Sequence, residues 1–183
     1  MWALTAGKGT FDFFHWGMLA LFVLYAVREL QLSPALIGLV ATLGAIGPLL
    51  AGLVAAPVMR RFGTARTSVI AALLLGGNVL IPLAAGPTWV VVGVLAVANV
   101  LVGLGVVYLI IVRTTVLQRT VPAALLGRVG AVIRLIEWGP GPVGGLLGGL
   151  LGELLGLRAA LLVIGVGGVL GVGWVLAAAT RQQ

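Results

Sequence analysis

The sequence predicts an all-α integral membrane protein built as a bundle of six transmembrane helices, and three observations carry that prediction. Of the 183 residues, 61% are hydrophobic and only 8% are charged, with a mean hydropathy of +1.25; soluble domains run at roughly 45–50% apolar. Three stretches, Leu30 to Met59, Thr67 to Val112 and Ala159 to Thr180, contain no Asp, Glu, Lys or Arg, and about 20 apolar residues suffice to cross a bilayer core. These runs are long and almost continuously apolar, unlike the short alternating strands of an outer-membrane barrel.

Taken in order, the spans fall at about 11–28, 34–58, 67–85, 88–112, 125–154 and 158–179, one bundle over 1–183. The first carries Asp12 and His15 and flows into Tyr25 and Arg28 without a small-residue cleavage site, so it reads as a span and not as a cleaved signal peptide. The second opens at Ser33-Pro34, an N-cap followed by proline at the first helical position. Arg60-Arg61-Phe62-Gly63-Thr64-Ala65-Arg66 separates it from the third, and Ala85-Gly86-Pro87 separates the third from the fourth. The fourth ends before Arg119-Thr120-Val121-Pro122, and Gly156-Leu157-Arg158 precedes the sixth.

The net charge of +7 does not imply a nucleic-acid partner, because the basic residues stand singly or in pairs at the ends of apolar runs, as topology determinants do. Lys8, Arg60, Arg61, Arg66, Arg113, Arg119, Arg128 and Arg181 fall on one side of a six-span layout, with only Arg28 and Arg158 on the other. The positive-inside rule then places both termini in the cytoplasm and the protein in a cell (plasma, inner) membrane.

Enzymatic chemistry has little to work with. The chain has one His, no Cys and four carboxylates, and it shows no HExxH, no aspartate-rich metal motif and no Gly-x-Ser-x-Gly elbow. Ser33 and Ser68 both lie beside loops. Neither an enzyme, a metal nor a cofactor is expected.

The fifth span holds the residues of greatest interest. Arg134-Leu135-Ile136-Glu137-Trp138-Gly139-Pro140-Gly141-Pro142 sets an acid, a base and two prolines inside an apolar segment of membrane length. Charges survive there mainly by facing a protein interior or a wet cavity. Pro140 and Pro142 free the carbonyls of Ile136 and Trp138, which then need protein, water or ligand partners. Arg134 and Glu137, three apart, can pair on one helix face. Such a pair is either structural, or Glu137 exchanges a proton or meets a cationic substrate while Arg134 tunes it. Trp138 either packs or stacks on a substrate.

Asp12 and His15 form a second polar pair in the first span, either an interfacial helix start or a proton-handling site. Asn99 and Tyr108 in the fourth span can offer hydrogen bonds to a cavity. Glu153 is expected as an exposed surface charge. Gly141, Gly145 and Gly149, and likewise Gly144, Gly148 and Gly152, recur every four residues, which lays two small-residue rows along one helical face and lets another backbone approach closely.

Gly52-Leu-Val-Ala-Ala-Pro57-Val-Met-Arg60-Arg61-Phe62-Gly63-Thr-Ala-Arg66 resembles the degenerate repeat of the loop signature of major facilitator superfamily transporters, with Arg60 standing where that signature has an acid. Leu125-Leu126-Gly127-Arg128-Val129-Gly130-Ala131-Val-Ile-Arg134, Trp138-Gly139-Pro140 and the glycine run to Arg158 resemble the eleventh helix and following turn of exporters in the enterobactin-exporter and macrolide-efflux group. With Tyr25-Ala-Val-Arg28-Glu29-Leu and Leu32-Ser33-Pro34, the similarity covers nearly the whole chain and matches the carboxy-terminal half of such transporters.

The resemblance implies two three-helix inverted repeats, spans one to three and four to six, corresponding to helices seven to twelve. It places the first and fourth spans along a central cavity and makes the second and fifth its rocking walls. It also implies proton-driven efflux of a small-molecule substrate, and a second six-helix half or a homodimer partner beyond the lipid bilayer itself. A scaffold or interaction subunit that does not transport, or a truncated and inactive transporter, is the alternative.

Overall fold

A computed structural model of the chain describes the backbone over residues 2–180 and the side-chain surroundings over residues 5–169 and at residue 173. Among the described residues there is no strand, and the helices are α1 (Trp2–Arg28), α2 (Pro34–Gly44), α3 (Ile46–Leu75), α4 (Leu80–Leu83), α5 (Thr88–Thr120), α6 (Leu126–Trp138), α7 (Gly141–Leu155) and α8 (Leu157–Thr180). Thr5–Arg28, Pro34–Leu83 and Thr88–Thr120 are long and apolar enough to cross a membrane, and Leu157–Val169 is a shorter apolar stretch.

The helix boundaries follow local chemistry. Ser33 caps α2 by accepting from the Leu36 N–H at 3.4 Å, with Pro34 in the first turn. Pro48 lacks the N–H that would reach Gly44, and the chain steps from α2 to α3 at Ala45. Gly76–Val79 tightens into a 3-10 turn before α4. Gly139 and Pro140 interrupt the fifth predicted span and divide it into α6 and α7. Two expected edges move outward: α1 begins at Trp2, not near residue 11, and α5 runs on to Thr120 because no breaker precedes Pro122.

Pro34–Leu83 comprises 50 residues, about 75 Å of helix if it were straight and far more than a core of about 30 Å. It folds back at Gly63, whose φ of 72° and ψ of 175° are not helical. Neighbours along α5 show the reversal. Gly44, Gly47 and Pro48 meet Asn99, Val100 and Gly103 in rising order, whereas Ala71 and Leu75 meet Gly105 and then Gly77 meets Ala98 and Leu101. The arm before Gly63 therefore runs parallel to α5, and the arm after it runs antiparallel.

α1 has the matching pair of neighbours. Gly144, Gly148 and Gly152 of α7 meet Phe13, Gly17 and Leu21 in parallel, while Gly167 and Ile164 of α8 meet Phe14 and Gly17 in antiparallel order. Two apolar cores result. One gathers Met18, Leu21, Tyr25, Leu95 and Leu161; the other gathers Phe11, Ala71, Leu75, Val102 and Val112.

The two glycine rows of α7 part company. Gly144, Gly148 and Gly152 face α1, and Gly141 lies against Trp16, but Gly145 and Gly149 have no atom within 4 Å of where a Cβ would stand. A helix at 100° per residue separates positions one apart, so only one row reaches the seam.

Candidate functional site

Helical periodicity assembles one polar face from three helices. On α1, Lys8, Asp12, His15 and Leu19 fall at intervals of four, three and four; on α5, Val106, Ile110 and Arg113 at four and three; on α6, Arg134 and Trp138 at four, with Glu137 beside them. Such spacings lie on one side of a helix. These side chains, with Trp16, line a cavity of about 590 Å³.

Two ion pairs occupy it. Lys8 Nζ donates to both carboxylate oxygens of Asp12, at 2.5 and 2.7 Å, and both residues are buried. Glu137 is 2% exposed and its side chain on α6 pairs with the Arg113 guanidinium of α5. Glu137 Oε1 has no hydrogen-bond partner among the described residues. Buried charges persist only when paired, so the neutralisation by Lys8 and Arg113 explains how two carboxylates sit among apolar helices.

The expected partner of Glu137 was Arg134, three residues away, and the structure pairs it with Arg113 instead. Glu137 is buried with its carboxylate on Arg113 of α5, while Arg134 is exposed at the edge of the cavity. The apolar runs alone put Arg113 and Lys8 at the cytoplasmic ends of spans. Both lie within helices and line the cavity, because α1 starts earlier and α5 ends later than the apolar runs alone indicate.

His15 stacks on Phe11 with ring centroids 5.3 Å apart, and its Nδ1 lies 3.2 Å from Asn78 Nδ2. An amide donor at that position requires an unprotonated Nδ1. Asn78, in the 3-10 turn after α3, carried no signal in the sequence beyond being polar in an apolar span. Asn99 and Tyr108 are not in the cavity lining. Asn99 donates to the Leu95 carbonyl at 2.8 Å and abuts Gly44, and Tyr108 is buried in the second apolar core.

A second cavity of about 490 Å³ opens where α6 breaks into α7, lined by Trp16, Leu19, Ala20, Trp138, Gly141, Pro142 and Gly145. Trp16 and Trp138 meet edge to face at 6.3 Å between centroids. With Leu19 they border both cavities. Trp16 was not singled out in the sequence, although it stands four residues after Asp12.

Away from these cavities, Arg60, Arg61 and Arg66 are exposed around the Gly63 turn, with the Arg61 guanidinium 5.7 Å from the Phe62 ring, and Gly52 stands in open space. Glu153 is exposed, as expected. Arg181 lies outside the described residues. At the opposite end, the Pro82 carbonyl accepts from Arg158 Nε at 3.0 Å and from the Tyr25 hydroxyl at 3.4 Å. Among the described residues no group of three or more His, Asp or Glu is placed to hold a metal ion.

Long apolar helices around a buried, paired charge cluster define a helical membrane protein. The sequence profile of the Major Facilitator Superfamily matches residues 9–182, and the chain belongs to that superfamily. No curated protein and no solved structure matches the chain.

Proposed function

We propose that the chain is a six-span half of a major-facilitator exporter, moving small amphipathic organic molecules outward by alternating access and coupled to protons. The observation that carries this reading is the Arg113–Glu137 pair lining a cavity inside the bundle. Intramembrane charges facing a cavity are the usual sites of substrate and proton passage.

The helix pairings support two inverted repeats. The first span lies parallel to the fifth and antiparallel to the sixth; the fourth lies parallel to the second and antiparallel to the third. Exchanging the two triplets interconverts these pairings. Trp138, 67% exposed, and outward-facing Arg134 stand at the cavity's open side, which a second six-helix body, a separate half or another copy, closes in the complete transporter. The arginine-rich end, with Arg60, Arg61, Arg66, Arg119 and Arg128, faces the cytoplasm of the inner membrane.

The test is flux. The chain is reconstituted at high density in proteoliposomes, allowing self-pairing, and efflux of fluorescent amphipathic dyes of both charges is followed under an imposed pH gradient. Gradient-dependent flux that nigericin abolishes is expected. Flux absent for every dye, or indifferent to nigericin, overturns the proton-coupled exporter reading.

A further inference from the structure

Resting on that reading of the cavity, we propose that its ligand is an amphipathic organic anion, with the anionic group on the Arg134 guanidinium and an aromatic or other apolar body in the adjoining cavity between Trp16 and Trp138.

Charge accounting supplies the sign. The chain has four carboxylates. Asp12 is held by Lys8 and Glu137 by Arg113. Glu29 borders a separate cavity with Tyr25 and Arg158 at the far end of the bundle, and Glu153 is exposed on α7 near that end. No side-chain carboxylate remains for Arg134, which lines the cavity without an ion-pair partner among the described residues. The lining thus carries three cations, Lys8, Arg113 and Arg134, against two carboxylates. An unpaired guanidinium favours an anion and matches a carboxylate, sulfonate or phosphate through paired N–H donors.

A cationic ligand meets the reverse situation. It would approach Glu137 only against Arg113, already on that carboxylate, and past Arg134.

The apolar half of the ligand follows from continuity. Trp16, Leu19 and Trp138 belong to both linings, so a molecule anchored at Arg134 reaches the second cavity past these side chains. That cavity, about 490 Å³, falls within the range of drug-sized pockets, and its indole faces offer a surface for ring stacking.

Three matched probes test the proposal: naphthalene-2-sulfonate, naphthalene-2-methanol and naphthalen-2-ylmethylammonium. Equilibrium binding of the tritiated probes to the full chain in nanodiscs is read by scintillation proximity, with empty discs subtracted. The sulfonate is expected to bind about tenfold or more tightly than the ammonium, as a charge-assisted contact provides. Arg134→Gln should remove that preference, Arg134→Lys should keep part of it, and Trp138→Ala should weaken all three probes alike. Arg158→Gln, at the far end, should leave the preference intact. Equal binding of the three, preference for the ammonium, no binding at millimolar concentration, or a preference that survives Arg134→Gln overturns the proposal. No gradient enters this measurement. Binding with the expected preference but without flux sinks the exporter reading alone, and flux without the preference sinks the anion assignment alone.

Discussion

Arg113 of α5 and Glu137 of α6 form an ion pair inside the bundle, with side chains 18% and 3% exposed. It joins the helix that ends the fourth span to the broken helix of the fifth.

Removing either partner leaves an uncompensated charge, which costs about 3–5 kcal/mol at buried sites. Glu137→Gln and Arg113→Gln are each expected to lower the thermal midpoint of the detergent-solubilised protein, and the exchanged pair Arg113→Glu with Glu137→Arg to recover part of the loss. Fluorescence-detected size exclusion after heating measures this. Single variants as stable as the native chain would show that the pair is not maintained.

The two glycine rows of α7 should respond oppositely. A Cβ on Gly144 meets the Phe13 backbone, and one on Gly148 lies 2.7 Å from Gly17 Cα; overpacking of this kind costs about 1–3 kcal/mol. Gly145 and Gly149 have open surroundings, and alanine there gains up to about 1 kcal/mol of helix propensity. Gly144→Ala and Gly148→Ala are therefore expected to lower the thermal midpoint, and Gly145→Ala and Gly149→Ala to hold or raise it. Equal effects from both rows would refute the assigned seam.

At Gly63, φ of 72° with ψ of 175° is a conformation nearly confined to glycine. Nothing lies within 4 Å of its missing side chain, so Gly63→Ala tests the backbone alone and should cost about 1–3 kcal/mol. Gly52→Ala, in open space with an ordinary φ, is the control and should cost nothing. A fold-back that tolerates both substitutions equally does not depend on the Gly63 conformation.

The chain contains no cysteine, so single introduced thiols report topology without background. Ala85 and Ala124 are both exposed, in the connections on either side of α5. In intact cells a membrane-impermeant maleimide is expected to label Ala85→Cys at once and Ala124→Cys only after permeabilisation. The opposite pattern overturns the inside-positive orientation.

Membrane insertion, the all-helical class and most helix boundaries were legible in the sequence because they depend on local chemistry. Apolar length marks a membrane helix, Ser33-Pro34 marks a start, and Gly63, Pro140 and Gly156 mark breaks, whatever surrounds them. The polar residues of the cavity were partly legible for the same reason: Asp12, His15, Arg134 and Glu137 are conspicuous in apolar runs. Their partners were not. Helical spacing shows which residues share a face of their own helix, but not which way that face turns, so Glu137 was matched to its neighbour Arg134 when the fold brings Arg113 to it from 24 positions away. The same rotational freedom hid which glycine row of α7 meets α1, why Asn99 and Tyr108 leave the cavity, and how Trp16 joins Trp138. Local sequence determined the helices and the charges they carry; only the packing of α1 against α5 and α6, which brings the Arg113 side chain to Glu137, decided which charges cancel and left Arg134 without an ion-pair partner among the described residues.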